Sequence, residues 1–100
     1  MSFTIKVPWY SDNPLAAAEE FFTAQRPGSL SSGDVDLLIL HFGAAGPEHQ
    51  AWRLAAVQAL AREVAPSRAN GVIGDDEEAV AATITWLENA PGVTGQLLTV

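Results

Sequence analysis

The chain has 100 residues, enough for about one domain with a single hydrophobic core. Apolar residues make up 48% of it, which excludes a disordered chain, and the formal net charge of −7 repels nucleic acid and anionic membranes. The lack of cysteine excludes disulfides, thiolate catalysis and zinc–thiolate sites. The N-terminal sequence has no signal-like pattern and no apolar run approaches the roughly 20 residues that span a bilayer, so a cytoplasmic location is expected.

The first segment is predicted to be a strand at the edge of a sheet. Phe3, Ile5 and Val7 alternate with the polar residues Thr4 and Lys6. This period of two is typical of a strand with one buried face and one solvated face.

A helix from Pro14 to Arg26 is predicted next. Asp12 and Asn13 can cap its first turn, where proline is also favoured. The side chains predicted to face inward are Leu15, Ala18 and Phe22, with Phe21 beside them. The polar segment 29–33 should then form a loop that leads back across the sheet.

The middle of the chain predicts a buried strand, a long helix and a further parallel strand. The buried strand spans Val35 to Phe42, where four consecutive apolar residues indicate that both faces are covered. The helix runs from about Pro47 to Val64, and the next strand from Arg68 to Ile73. The inward side chains of the helix are predicted to be Trp52, Ala56, Leu60 and Val64.

A third helix and a closing strand complete the predicted order βαβαβαβ. The acidic residues 75–78 begin the helix, where carboxylates stabilise the positive end of its dipole, and a cation site is the other interpretation. The buried side chains of this helix should be Val80, Ile84 and Leu87. The strand from Gly95 to Val100 follows it.

This order predicts one compact α/β domain over residues 1–100, with four mainly parallel strands in two or three layers. Right-handed crossovers that all run in one direction would place the three helices on the same face of the sheet. The other face, which is also apolar in the central strand, then needs a crossing helix, a loop or a second copy of the protein. We expect a second copy.

Three blocks in the second half of the chain resemble the short-chain dehydrogenase/reductase (SDR) family. They are Ala59–Pro66 (ALAREVAP), Arg68–Val72 (RANGV) and Val93–Val100 (VTGQLLTV). In that family such blocks follow the catalytic helix, form the next strand and close a Rossmann-type sheet. The resemblance implies a truncated Rossmann-like domain, reduced to the part of the scaffold that those enzymes use largely for subunit contacts.

The residues that perform the chemistry of that family are missing. The family's catalytic tyrosine and lysine positions fall near Gly46 and Gln50, and the only tyrosine and lysine of the chain, Tyr10 and Lys6, stand in the wrong order. A dinucleotide site also needs a glycine-rich turn after the first strand, and residues 8–14 contain no glycine. We therefore expect no catalytic residues, no cofactor and no enzyme activity.

The carboxyl ends of the parallel strands are the candidate binding site. The residues predicted to line this crevice are Trp9, Tyr10, His41, Gly43 and Gly46. The backbone between the two glycines could hold an anion, but a tight turn is the plainer interpretation. His41 and His49 could face the same crevice, yet no third ligand can be placed, so no metal site is expected.

The alanine-rich helix and the closing strand form the candidate interface. Its predicted residues are Trp52, Ala55, Ala56, Ala59, Thr94, Gln96 and Leu98. The first functional hypothesis is a non-catalytic interaction module that forms a homodimer or docks on a full-length reductase. The alternative is a small-molecule or nucleotide-binding protein that uses the crevice.

Overall fold

The computed structural model describes residues 2–24 and 35–100 of the chain. Strands and helices alternate in the order β1 Ser2–Lys6, α1 Pro14–Ala24, β2 Leu37–Phe42, α2 Gln50–Val64, β3 Arg68–Ile73, α3 Glu77–Glu88 and β4 Leu97–Thr99. A short 3₁₀ turn, Pro47–His49, leads into α2. The predicted order of elements is confirmed, although β4 is shorter than predicted. The loop predicted at residues 29–33 lies outside the described residues.

The four strands form one parallel sheet in the order β1-β2-β3-β4, so β1 lies at an edge of the sheet. Ser2 pairs with Leu37 and Lys6 pairs with His41, which brings the carboxyl ends of β1 and β2 level with each other. The loops that leave these two strands therefore start side by side, at one edge of the sheet.

One face of the sheet packs against α1 and α2. The buried side chains of this first core are Val7, Phe21, Leu38, Leu40, Phe42, Ala56, Val57, Leu60, Val64, Ala69 and Ile73. The helix α2 approaches the sheet closely at Gly71, where a Cβ atom would lie 2.7 Å from a methyl group of Val57. The predicted inward face of α2 is confirmed, and its Trp52 is partly buried against this core.

The buried face of α1 differs from the prediction. Ala17 and Phe21 are each 2% exposed, whereas Leu15 and Phe22, which the pattern places inward, are 78% and 39% exposed. Phe21 packs on Trp52 of α2, with ring centroids 5.6 Å apart. This contact helps to set the rotation of α1, and the sequence of α1 alone does not contain that information.

The opposite face of the sheet is covered by α3, so the predicted second copy over this face is wrong. The buried side chains of the second core are Leu37, Ile39, Val72, Val80 and Leu87, with Ile84, Val93 and Leu98 packed against them. The strand order stays sequential while α3 lies on the other face from α1 and α2. The β3-α3-β4 crossover therefore has the opposite hand to the two crossovers before it.

Two polar side chains of β3 hold the end of α3 and the connection to β4 in this position. Arg68 donates to the carbonyl oxygen of Leu87 at 2.9 Å, where a cation also interacts favourably with the helix dipole. Asn70 is fully buried, donates to the carbonyl of Val93 at 3.0 Å and accepts from the amide of Gln96 at 3.0 Å. These bonds, together with the second core, offset the usual preference for a single crossover hand.

Side chains cap both α1 and α3, and only the cap of α1 was predicted. Asn13 Oδ1 accepts from the amide of Ala16 at 3.0 Å at the start of α1. Asp76 Oδ1 accepts from the amides of Glu78 and Ala79 at 3.0 and 3.3 Å at the start of α3. Each cap satisfies amide groups that the first helical turn leaves without a partner.

Candidate functional site

A cleft of about 430 Å³ lies at the carboxyl ends of β1 and β2. Its lining residues come from β1, the loops after β1 and β2, and helix α2: Lys6, Val7, Pro8, Trp9, Gly43 and Arg53. The position follows from the topology, because neighbouring parallel strands end at a common edge of the sheet. The Trp9 side chain is 53% exposed, so one aromatic wall of the cleft is in contact with solvent.

Arg53 provides a buried positive charge in the wall of this cleft. Its side chain is 4% exposed, and its guanidinium lies over the ring of Phe42 with Cζ 4.8 Å from the ring centroid. Nη1 donates to the carbonyl oxygen of Gly43 at 2.8 Å, whereas Nε is buried and has no hydrogen-bond partner among the described residues. Burial lowers the pKa of Arg53, but a guanidinium remains protonated in proteins. No carboxylate in residues 2–24 or 35–100 forms an ion pair with it.

An aromatic cluster adjoins the cleft. The rings of Trp9 and His49 have centroids 5.1 Å apart with an interplanar angle of 59°. Trp52 Nε1 donates to His49 Nδ1 at 2.9 Å. His49 is 2% exposed, and its other ring nitrogen, Nε2, has no hydrogen-bond partner. The cluster therefore contains a second buried polar atom that the described fold leaves unsatisfied.

The structure brings together only part of the predicted crevice. Trp9 and Gly43 line the cleft, and Tyr10 lies beside Trp9 in a smaller adjoining cavity. His41 lies on the other face of the sheet, because side chains of successive strand residues alternate between faces. There its Nε2 donates to the carbonyl oxygen of Gly74 at 2.8 Å. His41 therefore does not share a crevice with Trp9, and its assignment to this site was incorrect.

The glycine turn after β2 is occupied by carboxylates of the protein itself. The amide of Ala44 donates to Asp75 Oδ1 at 3.1 Å, and a Cβ atom on Gly46 would collide with the carboxylate of Glu48. An external anion would be repelled by these two charges. The interpretation as a tight turn is thus supported, and Gly46 is not among the residues that line the cleft.

The acidic residues 75–78 serve the fold. Asp75 binds the turn after β2, and Asp76 caps α3. Within the described ranges 2–24 and 35–100, no three His, Asp or Glu side chains are close enough to bind a metal ion together. Over the same residues, no helix has the length and apolar character needed to cross a bilayer.

The predicted interface residues are divided between the core and the surface. Ala56 is 1% exposed inside the first core, and Trp52 packs between the rings of Phe21 and Phe42. The members that are exposed or half-buried are Ala55, Ala59, Thr94, Gln96 and Leu98. The face of α2 that contains Ala56 packs on its own sheet, which corrects its assignment to an interface.

Ala55→Glu tests whether the exposed side of α2 contacts another copy. The new carboxylate would stay in water, so the free energy of unfolding should change by less than about 0.5 kcal/mol. We also expect an unchanged sedimentation coefficient, because the apolar face of α2 that contains Ala56 is already buried against its own sheet. A lower sedimentation coefficient for the variant than for the wild type would place Ala55 in an interface.

A protein-family comparison matches almost the whole chain. The matching family is SDR-like, described as short chain dehydrogenase-like protein. The match covers residues 5–100, from within β1 to the last residue of the chain. The chain belongs to the SDR-like family. The match confirms the resemblance carried by the three blocks of the second half and extends it through the first half. No curated protein and no solved structure is significantly similar to the chain.

In this SDR-like chain the quoted blocks have structural roles. Arg68 and Asn70 of the RANGV block hold the α3–β4 connection, and Thr94 of the last block accepts from the amide of Ala69 at 3.1 Å. Gly46 and Gln50, near which the family's catalytic tyrosine and lysine are expected to fall, do not line the cleft. The cleft is built instead from residues outside these blocks.

Arg53, the residue that gives the cleft its charge, is not among the residues predicted for the site. Arg53 lies on the buried side of α2 with Ala56, Val57 and Leu60, at spacings typical of one helical face. A charged residue within an apolar helical face indicates a buried charge, and a buried charge requires compensation. This pattern is present in the sequence and is the signal that identifies Arg53.

Proposed function

We propose that this protein is a non-catalytic member of the SDR-like family that binds a small organic anion in the cleft at the ends of β1 and β2. The observation that supports this most strongly is the burial of Arg53 without a carboxylate partner in the described residues. Burying a charge is costly unless it is paired, so a site of this kind is favourable when a ligand supplies the opposite charge.

The hydrogen bonds of Arg53 define how such an anion would bind. Nη1 is already used by the carbonyl oxygen of Gly43, which leaves the edge of the guanidinium formed by Nε and Nη2. Two oxygens of a carboxylate or a phosphate fit this edge with two parallel hydrogen bonds. Lys6 pairs with His41 in the sheet, so its side chain points to the opposite face and does not add to the charge of Arg53.

The charge of the rest of the molecule restricts the size of the ligand. With a net charge of −7, the surface repels extended polyanions, whereas the wall of the cleft contains the buried guanidinium of Arg53. A small anion can reach this charge without covering the acidic surface. Trp9 and Pro8 offer apolar walls to the remainder of the ligand.

The absence of reductase chemistry at this site supports a binding role. The family's tyrosine and lysine positions are expected near Gly46 and Gln50, which have no group that titrates near neutral pH. Arg53 is too strongly basic to exchange protons with a substrate. Self-association has less support, because α3 covers the second face of the sheet and Ala56 is buried in the first core.

Titration with benzoate, phenyl phosphate and benzamide tests this proposal. Benzamide has the shape of benzoate without its charge, so the pair isolates the contribution of the anion. We expect benzoate or phenyl phosphate to change the fluorescence of Trp9, with a dissociation constant on the order of 1 mM or below, and benzamide to have little effect. A Trp86→Phe background removes the other highly exposed tryptophan from the signal. No response to either anion, or an equal response to benzamide, would refute the proposal.

A further inference from the structure

A second, narrower cavity adjoins the cleft and contains an unusual set of unsatisfied polar atoms. It is lined by Pro8, Trp9, Tyr10, Ser11, Ala17, His49, Trp52 and Arg53. Pro8, Trp9 and Arg53 also line the cleft, so the two cavities share a wall. Within residues 2–24 and 35–100, three buried side-chain atoms have no hydrogen-bond partner, and Tyr10 Oη, His49 Nε2 and Arg53 Nε all belong to residues of this narrow cavity.

The hydrogen bond to Trp52 fixes the chemical character of His49. An indole N–H can only donate, so His49 Nδ1 must accept the bond from Trp52 Nε1 and carries no proton. In the neutral imidazole the proton is then on Nε2, which makes this atom a donor. His49 Nε2 is therefore a buried N–H group without an acceptor.

The other two atoms complement this donor. Arg53 Nε can only donate, and the Tyr10 hydroxyl can donate or accept. Leaving such groups buried and unpaired is unfavourable, and the cavity has no space for a water molecule to satisfy them. A set of two obligate donors and one hydroxyl matches a group that only accepts hydrogen bonds, which is the property of a carboxylate or phosphate.

We propose that the anionic group of the ligand enters this narrow cavity when the Trp9 side chain moves aside, and that Tyr10, His49 and Arg53 donate to it there. This inference rests on the proposed function, because it concerns the same ligand. Trp9 is suited to such a movement, since it is 53% exposed and its ring contact is with His49. The hydrogen bonds gained by the three donors favour the open, ligand-bound conformation over the closed one.

The NMR resonance of the Trp52 indole N–H tests this inference without any substitution. When benzoate accepts a hydrogen bond from His49 Nε2, the electron density at Nδ1 of the imidazole increases. The hydrogen bond that Trp52 Nε1 donates to Nδ1 then strengthens. We expect the Trp52 indole proton to shift downfield in a saturable way as benzoate is added. The indole proton of Trp86, on the other side of the sheet, serves as the internal control and should not move.

Tyr10→Phe provides an independent test with a conservative change. The substitution removes one hydroxyl that has no partner in the unliganded fold, so the variant should fold. We expect it to bind benzoate at least about tenfold more weakly, because a hydrogen bond to a charged group is lost. Benzoate could bind the wild type and Tyr10→Phe with the same affinity and leave the Trp52 resonance in place. That result would show that the anion binds in the open cleft and not in the narrow cavity. If benzoate does not bind the wild type, the proposed function fails together with this inference.

Discussion

Leu87→Ala is expected to lower the free energy of unfolding by about 2–5 kcal/mol, a large part of the stability of a domain of this size. Leu87 is fully buried between α3 and the sheet, in the core that also contains Ile39 and Val72. Truncation removes its apolar contacts and leaves a cavity that the rigid sheet cannot fill. Urea denaturation followed by circular dichroism measures the change.

The neighbouring residue provides the control for this substitution. Trp86 is larger than Leu87 but 56% exposed, so Trp86→Ala should change the free energy of unfolding by much less. Both effects should be independent of protein concentration, because α3 covers the sheet within one chain. The contradicting result is a urea midpoint that rises with protein concentration, together with a small effect of Leu87→Ala on the free energy of unfolding. It would show that another copy of the chain stabilises this face of the sheet.

Arg53→Met is expected to weaken benzoate binding by about 2–5 kcal/mol, which makes binding undetectable for a ligand of millimolar affinity. Methionine retains the apolar stem that packs on Phe42 and removes only the guanidinium. The unliganded variant should remain folded, because replacing a buried charge with an apolar side chain of similar size is often tolerated. Fluorescence titration and a urea denaturation curve separate the effect on binding from any effect on stability.

Arg62→Met is the matched control for Arg53→Met. Arg62 is on the same helix but is exposed, and it lies beside Thr94 in a groove on another part of the surface. Both substitutions change the net charge by the same amount, so they perturb long-range attraction of an anion equally. Benzoate should bind Arg62→Met as it binds the wild type. Equal losses in both variants would mean that general electrostatics, rather than a site at Arg53, attracts the anion.

Local patterns in the sequence contain most of the information on the secondary structure. The alternation of residues 3–7, the four consecutive apolar residues of β2, the cap at Asn13 and the acidic residues 75–78 each predict an element that the structure contains. The bounds of β3 are predicted to the residue because Pro66 and Gly74 flank it. These features depend on short-range geometry, which is encoded within a few neighbouring residues.

Features that depend on contacts between elements were predicted less well. The position of α3 depends on Arg68 and Asn70, which donate to the backbone carbonyls of Leu87 and Val93. The hydrophobic periodicity of α3 contains no information about these contacts. The rotation of α1 depends on the contact between Phe21 and Trp52. The position of His41 at a strand end predicts that it lines the crevice. Side chains alternate along a strand, however, and His41 lies on the other face of the sheet.

The most direct test of an anion-binding cleft is a ¹H–¹⁵N NMR titration of the full chain with benzoate and, separately, with benzamide. We expect benzoate to shift the backbone amides of Lys6, Trp9 and Gly43 with a common saturation curve, and benzamide to leave them nearly unchanged. The amides of Arg62 and Thr94, at the other groove, should stay in place. Equal shifts with both compounds, or benzoate shifts centred on Arg62 and Thr94, would contradict the assignment of the cleft.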